Sequence, residues 1–425
     1  MASSNQKSTK ALHILQAVQT VDNIVKSIND KTITDVKDDR LPIELKVSEE
    51  STLLRRNFLK EQTGSDLPVL TGKEPFSDLD KLEGNIENFI GMSQIPTGVI
   101  GPVRVIGSAA KGDFFVPLAT SEGALVASYH RGAKACLLAG GATSVCLVEG
   151  VQRSPLFKFH HLGDLGLFVV WVLAQVDKFR EITESCSRFA KLEDMRSNIE
   201  GNHLILTFEF HTGDASGQNM VTICTDKICK YIIENTPVQP EMWFLEGNYS
   251  GDKKATSQSF STVRGKKVTT EIVLPAEIIQ GVLKTTARAM ADYWRASTIG
   301  IIQSGAIGAQ GHYANGLTAL FIATGQDAAC VAEAATGITR MEEKENGALY
   351  CSVTLPNLIV GTVGGGTALP TQRECLELMD CFGAGNARKF AEICGALVLA
   401  GELSIAAALS AGHFASAHAN LGRKK

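Results

Sequence analysis

The chain has 425 residues. A single hydrophobic core rarely stabilises a chain of this length, so two or three domains are expected. Its 41 lysines and arginines nearly balance its 45 aspartates and glutamates, which excludes the basic surface that nucleic-acid binding needs. Its 10 cysteines form no CxxC pair or Cys/His cluster, so a zinc site and a dense disulfide framework are disfavoured and a reducing compartment is favoured.

The N-terminal part, residues 1–85, mixes charged and apolar residues at helical spacing and predicts a small helical region. From Pro96 to Pro117, short valine and isoleucine runs broken by glycine and proline predict strands and tight turns. A helix is predicted to follow from Ser121 to Leu138.

Residues 155–244 alternate apparent strands and helices, which is typical of a small α+β module inserted into a larger domain. The predicted strands are Leu167–Leu173 and Leu204–Phe210, and the predicted helices are Glu184–Met195 and Gln218–Ile233. Beyond the module we predict a strand at Val268–Leu274, a helix at Ala276–Trp294 and a long alanine-rich helix from Ala384 to about Asn420, with candidate breaks at Gly395, Gly401 and Gly412.

No apolar stretch meets the roughly 20-residue requirement for spanning a membrane. Leu165–Val176 is too short, and Ala396–Ala411 contains Glu402. The polar start of the chain, MASSNQKSTK, lacks the apolar core of a secretory signal. We therefore expect no membrane contact and a cytoplasmic location.

Three charged sites interrupt apolar or small residues, and burial of such charges requires a partner. They are Glu122 in PLATSEGALVAS, Lys253-Lys254 in GNYSGDKKA and Asp327 in FIATGQDAA. Paired carboxylates and lysines are how enzymes tune acids and bases. The structural alternatives are a helix N-terminal charge for Glu122, a solvated turn for the lysines and an N-cap for Asp327.

Two glycine-containing segments could present backbone amides to a phosphate: Gly361–Thr367, and Gly213–Asn219 before a predicted helix. The first is not GxGxxG after a strand, so an ordinary Rossmann fold lacks support. For the second, a capped turn is an equal alternative. His413 and His418 miss the i, i+4 spacing of metal ligands on a helix, so we predict no metal site; His418 is either a mobile general acid or a surface histidine.

Taken in order, these pieces resemble the hydroxymethylglutaryl-coenzyme A (HMG-CoA) reductases, and more closely their class I branch, which uses NADPH. The resemblance covers roughly residues 80–423. Its motifs are ENFIGMSQIPTGVIGP (87–102), SEGALVAS (121–128), SRFAKLE (187–193), GDASGQN (213–219), GNYSGDKK (247–254), GQDAA (325–329), VGTVGGGT (360–367) and AGELS (400–404).

The resemblance implies an α+β fold in three parts. These are an N-terminal helical region (1–85), a large substrate domain around a central helix (86–154 and 245–425), and an inserted ferredoxin-like NADP(H) domain (155–244). It also implies a homo-oligomer, a dimer or a tetramer, with active sites at the dimer interface, where Lys253 faces the Glu122 of the partner.

The implied reaction converts HMG-CoA to mevalonate and coenzyme A with two NADPH, through a hemithioacetal and mevaldehyde, in isoprenoid precursor synthesis. By resemblance, Lys253 stabilises the thioester oxyanion, Asp327 tunes Lys253 and Glu122, Glu122 protonates the aldehyde oxygen, and His418 protonates the coenzyme A thiolate.

The resemblance also carries binding residues. For the HMG-CoA substrate they are Arg153, Asp252, Lys254, Asn315, Ser128 and His312. For the NADPH cofactor they are Ser187, Arg188, Phe189, Asp214, Asn219, Val363, Gly364, Gly365, Gly366 and Arg423. A guanidinium suits carboxylates and phosphates because it donates two hydrogen bonds at once.

Several positions depart from the family pattern. Glu246 stands where a serine normally contacts the HMG group, Ser216 and Gln218 stand where methionines are usual, and Ala296 replaces a lysine. Two alternatives follow: a related reductase that acts on a different acyl-CoA thioester, or a non-catalytic coenzyme A or nucleotide-binding relative.

Overall fold

The structure is a computed structural model that describes residues 20–31, 40–42 and 47–412, with a few isolated positions before residue 20. The helices are α1 (Val21–Asn29), α2 (Glu49–Thr63), α3 (Leu125–Leu138), α4 (Leu162–Leu173), α5 (Val176–Cys186), α6 (Gln218–Asn235), α7 (Ala276–Ile278), α8 (Ala287–Ser304), α9 (Tyr313–Thr324), α10 (Val331–Ala334), α11 (Pro370–Leu378) and α12 (Ala387–Ser410). The strands are β1 (Thr97–Gly107), β2 (Lys111–Ala119), β3 (Ala142–Arg153), β4 (Leu156–Lys158), β5 (Lys191–Glu200), β6 (His203–His211), β7 (Met242–Phe244), β8 (Gly265–Leu274), β9 (Ile338–Glu343) and β10 (Leu349–Leu358).

A central helix, α12, lies in the largest of the hydrophobic cores and packs against α3 and strands β3, β8 and β10. It is apolar around its whole circumference, which is typical of a helix enclosed on all sides. Helices α3 and α12 approach each other closely at Gly132 of α3. A Cβ at this position would lie 1.8 Å from the Ala400 carbonyl oxygen of α12, so glycine is needed there. Among the described helices, α12 alone is long and apolar enough to cross a membrane, and 83% of that stretch is buried inside the fold.

Two buried carboxylates on α12 hold loops of the same core. Glu392 accepts the amides of Ala109 (2.9 Å) and Ala110 (2.7 Å), as well as the Ser108 hydroxyl. Glu402 accepts the amides of Gly311 (2.8 Å) and His312 (2.7 Å). Both charges are satisfied by backbone donors, as buried carboxylates require.

The second core lies between residues 151 and 232. Its strands β4, β5, β6 and β7 are ordered β7-β4-β6-β5 with antiparallel neighbours, and helices α4 to α6 fill the connections. This arrangement agrees with the expected ferredoxin-like topology. β6 also pairs with the end of β3, so the strands of both cores form one 10-stranded sheet. The division into three domains stays a prediction.

Two of the predicted elements were wrong. Leu167–Leu173 lies in helix α4 rather than in a strand: Leu165, Phe168 and Val172 are buried at helical spacing, and the valine-rich run concealed that period. Glu184–Met195 is not one helix. Helix α5 ends at Cys186, because the Ser187 hydroxyl accepts the next free amides, and β5 begins at Lys191.

Three other predicted helices differ in their bounds. The helix predicted from Ser121 begins at Leu125. Ala276–Trp294 is interrupted at Lys284, which has a left-handed backbone, so α8 begins at Ala287. Helix α12 continues through Gly395 and Gly401, since tight packing on both sides outweighs their low helix propensity. The strands predicted at Leu204–Phe210 and Val268–Leu274 are confirmed, as is the helix from Gln218.

Candidate active site

Lys253 and Asp327 form the ion pair that the sequence pattern suggested. The Lys253 Nζ lies 2.8 Å from the Asp327 carboxylate, and both side chains are nearly half exposed. The hydrogen bond to Asp327 raises the pKa of Lys253. Partial burial opposes ionisation of Asp327, but hydrogen bonds from Lys253 and from the Ala329 amide lower its pKa overall. Asp327 therefore acts both as an N-cap and as an ion-pair partner, and Lys253 is held as an ammonium.

The fully buried carboxylate of Glu333 binds the backbone of Lys253. Glu333 accepts the Lys253 amide (3.1 Å) and two hydrogen bonds from Arg264 Nη1 (2.9 and 2.8 Å). Arg264 Nη2 donates to Asp252 (2.7 Å) and to the side-chain oxygen of Gln218 (2.7 Å). Sequence reasoning missed Glu333 and Arg264, although Glu333 lies in AEAAT, an acid among small residues like the one that marked Asp327.

We call residues 246–254 the lysine loop. Glu246, at its start, accepts the amides of Tyr249 (3.1 Å), Ser250 (3.4 Å) and Ser154 (3.2 Å), so most of its hydrogen-bonding capacity serves the backbone. It also lies 3.4 Å from Arg153 Nη1.

Arg153 and Lys254 converge on the same loop. Arg153 is buried, and its Nη1 also lies 3.2 Å from Asp252, so two carboxylates share one guanidinium nitrogen. Lys254 is exposed and donates to the Asp252 carbonyl (2.9 Å). Three of the expected substrate-binding residues thus lie together.

Glu122 lies in a different group. Its carboxylate is exposed just before α3 and accepts the Asn315 side-chain amide (2.8 Å). Both residues line an open cavity of about 490 Å³, together with Gln94, Pro96 and Ile322. Among the described residues, no hydrogen bond or ion pair joins this group to Lys253. Asn315 lies in the first turn of α9 and Asp327 follows the last turn of that helix, so the two groups lie at opposite ends of α9.

Ser128 and His312 lie beside the central helix. The Ser128 hydroxyl is 3.0 Å from that of Ser404, and the His312 ring stacks on Tyr129 with its Nδ1 3.2 Å from Glu402. His312 Nε2 is buried and has no hydrogen-bond partner in the described part of the chain.

The glycine loop, residues 361–367, is pressed between two other site segments. A Cβ on Gly361 would lie 2.5 Å from the Ser216 amide nitrogen, and one on Gly325 would lie 2.2 Å from the Gly366 carbonyl oxygen. Gly364 and Gly365 have positive φ angles of 75° and 55° and nothing within 4 Å of an added Cβ, so they face open space, beside Val363. Only glycine readily allows these approaches and angles.

Asp214 ties its segment to the central helix. Its carboxylate accepts the amides of Gly385 (2.8 Å) and Ala387 (3.0 Å) at the start of α12, while its carbonyl accepts the Thr362 amide (2.9 Å). The side chain is therefore engaged by backbone. Asn219, in the first turn of α6, is exposed.

The Ser187 turn, residues 187–189, lies at the end of α5. The Ser187 hydroxyl accepts the amides of Phe189 and Ala190, both at 3.2 Å. The Arg188 guanidinium lies 5.8 Å from the centre of the Phe189 ring, which is 64% exposed. In the described structure Arg188 has no carboxylate partner. His418 and Arg423 lie outside the described residues.

The comparisons with known proteins agree with the motifs. The family profile described as hydroxymethylglutaryl-coenzyme A reductase matches residues 51–423. The chain belongs to the hydroxymethylglutaryl-coenzyme A reductase family. The resemblance inferred from the sequence is confirmed, and the α+β class with it.

Two relatives named 3-hydroxy-3-methylglutaryl-coenzyme A reductase cover almost the whole chain. That of Aeropyrum pernix is 43% identical over 392 residues, 90% of this chain and 92% of its own. That of Methanocaldococcus jannaschii is 41% identical over 378 residues, 88% and 93% of the two chains. The class II reductase of Streptococcus pneumoniae, solved with NADPH in open conformations, has the same fold (TM-score 0.66, 20% identity, 85% and 87% covered).

Proposed function

We propose that the protein reduces HMG-CoA to mevalonate and coenzyme A with two NADPH, as an HMG-CoA reductase. The observation that carries the proposal is the ion pair between Lys253 and Asp327 beside Arg153 and Lys254, within a chain of this family. The Lys253 ammonium can stabilise a developing oxyanion, and the nearby cations Arg153 and Lys254 can bind a carboxylate. A thioester substrate with a distal carboxylate requires both.

The roles of the acids follow from their surroundings. Lys253, with its raised pKa, stabilises the oxyanion without losing its proton, and Asp327 fixes its direction. Glu122 is exposed to a cavity and is held by Asn315, so it can exchange a proton with the aldehyde oxygen. By resemblance, His418 protonates the departing coenzyme A thiolate.

The residues present fit a phosphorylated dinucleotide. Arg188 is an exposed cation on a turn fixed by Ser187, and Phe189 offers an exposed ring. Gly364 and Gly365 leave open space at the glycine loop, where a ligand can approach the backbone. NADPH supplies the hydrides, and the guanidinium of Arg188, which has no carboxylate partner among the described residues, suits its 2′-phosphate. Val363, Gly366, Asp214, Asn219 and Arg423 complete the proposed cofactor residues.

The geometry around Glu246 favours the HMG group over a different acyl group. Three backbone amides and Arg153 surround its carboxylate, which reduces its repulsion of a substrate carboxylate. Asp252, Asn315, Ser128 and His312 are the remaining proposed substrate residues.

We also propose a dimer or tetramer whose active sites combine two subunits. Within one chain, the Glu122 group and the Lys253 group lie at opposite ends of α9, and among the described residues no hydrogen bond or ion pair joins them. A second copy that brings its Glu122 to Lys253 resolves this separation.

A steady-state assay tests the reaction. We expect NADPH oxidation that depends on HMG-CoA, slower oxidation of NADH, and two NADPH consumed per HMG-CoA. Absence of HMG-CoA-dependent oxidation, together with unchanged HMG-CoA binding by Lys253→Ala, would contradict the proposal. A thioester that lacks the distal carboxylate is the control; equal turnover of it would favour the other acyl-group alternative.

Complementation tests the shared site. Glu122→Gln and Lys253→Ala, each inactive alone, should regain about a quarter of the wild-type rate when subunits are exchanged, because mixed dimers then contain one intact site. Mixtures that stay inactive despite confirmed exchange would place both residues in one subunit.

A cytoplasmic location is likewise proposed. All ten cysteines lie in the described part and none forms a disulfide, as expected in a reducing compartment.

A further inference from the structure

We propose that Glu333 and Arg264 are positioning residues that set the backbone of Lys253 and connect the lysine loop to the segment before α6 through Gln218. This inference rests on the proposed reductase function.

The first support is the backbone of Lys253. Its φ angle of 56° is left-handed, a conformation that is unfavourable for a non-glycine residue. The Lys253 amide donates to the Glu333 carboxylate at 3.1 Å. Above pH 7 Glu333 is ionised, although burial raises its pKa to about 7, and its buried carboxylate then compensates for the unfavourable conformation and fixes where the side chain starts.

The second support is the place of Arg264. This residue is 2% exposed and joins three segments at once: Glu333 after the Asp327 turn, Asp252 in the lysine loop and Gln218 at the start of α6. Gln218 also donates to the Cys330 thiol at 3.6 Å, so its amide bridges Arg264 and the Asp327 turn. Movement of the α6 start is thus transmitted to both partners of the Lys253–Asp327 pair.

The third support is the charge balance. Arg153 and Arg264 face three carboxylates, Glu246, Asp252 and Glu333, and Asp252 is held by both arginines. Without the Glu333 charge, Arg264 would be left with Asp252 alone and would draw it from Arg153. Glu333 therefore acts on the reaction through Lys253 and Asp252 and does not touch the substrate.

The test compares Glu333→Gln, Glu333→Asp and wild type by kcat, by KM for HMG-CoA and NADPH, and by melting temperature. We expect Glu333→Gln to lower kcat about tenfold or more, with both KM values changed less than about threefold, because a small misplacement of Lys253 affects the transition state most. Glu333→Asp, which keeps the charge, should recover part of the rate.

Glu374→Gln is the matched control. Glu374 is also a buried carboxylate that accepts two backbone amides, those of Val69 and Leu70, and among the described residues it has no hydrogen bond or ion pair to the lysine loop. It should lose stability but keep kcat. Equal kcat losses in Glu333→Gln and Glu374→Gln, or no recovery in Glu333→Asp, would overturn the positioning role.

Gln218→Met keeps the inference testable if the Glu333 variants fail to fold. It removes only the amide bridge and leaves Arg264 with both carboxylates. We expect kcat to fall about threefold at an unchanged melting temperature; an unchanged kcat would overturn the connection to α6. A wild-type protein without HMG-CoA-dependent turnover would refute the proposed function itself, whereas an active wild type with an equally active Glu333→Gln would refute the positioning role alone.

Discussion

The lysine loop and the Ser187 turn differ in how firmly the fold fixes them. The lysine loop is bound by two arginines and a fully buried carboxylate, with contacts to three separate segments. In the described structure the Ser187 turn is held by local hydrogen bonds, from the amides of Phe189 and Ala190 to the Ser187 hydroxyl and from the Ser187 amide to the Thr183 carbonyl, and its arginine and phenylalanine are exposed. Preorganised charge suits a transition state, while an adaptable turn suits the binding of a nucleotide. Changes at Lys253 and the residues that hold it should therefore affect kcat, whereas changes in the Ser187 turn should affect the KM for NADPH.

The largest expected effect is that of Lys253→Ala. Loss of the ammonium removes oxyanion stabilisation, so kcat should fall about a hundredfold to a thousandfold. The melting temperature should change little, because the side chain is 45% exposed. If only the KM for HMG-CoA rose and kcat stayed the same, the lysine loop would contribute binding alone. The lysine loop and the Ser187 turn would then not differ in their effect on kcat.

Arg188→Ala tests the other region. We expect the KM for NADPH to rise about tenfold, since one charge-assisted contact to a phosphate is lost, while kcat is kept. The KM for NADH should not change. Arg180→Ala is the matched control, because Arg180 is an exposed guanidinium on α5, the helix that precedes the Ser187 turn, and it pairs with Asp177. Similar effects of the two variants would mean that only general charge matters.

Glu246→Gln sharpens the description of the lysine loop. The amide keeps an oxygen for Tyr249 and Ser250 but removes a charge from Arg153, so the KM for HMG-CoA should fall about threefold. Glu241→Gln, which loses a carboxylate paired with Lys158, should leave this KM unchanged. A higher KM in Glu246→Gln would instead make Glu246 a necessary support for Arg153.

The smallest effect concerns the dependence of stability on pH. Burial raises the pKa of Glu333 to about 7, against the attraction of Arg264 and with Asp252 nearby. The folded protein then binds more protons than the unfolded chain between pH 4.5 and 7, so this contribution to stability is complete below about 4.5 and is lost as the pH rises through about 7. The melting temperature of wild type relative to Glu333→Gln should fall by roughly 3 °C over this interval. A difference independent of pH would mean that Glu333 keeps its ordinary pKa.

The sequence led to most of the candidate site residues because each of their motifs is local. Glu122 and Asp327 are single charges among small residues, and Lys253 lies in the short charged run Asp252–Lys254. Pairs made between distant segments were not predictable in this way. The contacts of Arg264 with Glu333 and Gln218 arise only when β8, α10 and α6 are packed together.

The errors in secondary structure have a related cause. Helix α4 is apolar on nearly every side, so its period was not visible, and valine favoured a strand. At Gly395 and Gly401 the low helix propensity of glycine predicted breaks, but close packing against neighbouring side chains keeps the helix continuous. The ferredoxin-like topology of residues 155–244 was expected from the family resemblance and not from the pattern of residues.

Helix α12 also determines when the fold can be completed. Glu392 receives amides from residues 282 and 283 positions earlier in the chain, and Glu402 receives amides 90 and 91 positions earlier. The backbone amides that bind Glu392 and Glu402 lack these carboxylate acceptors until α12 has been synthesised. The protein therefore belongs to the folds of high contact order, whose cores close late and cooperatively.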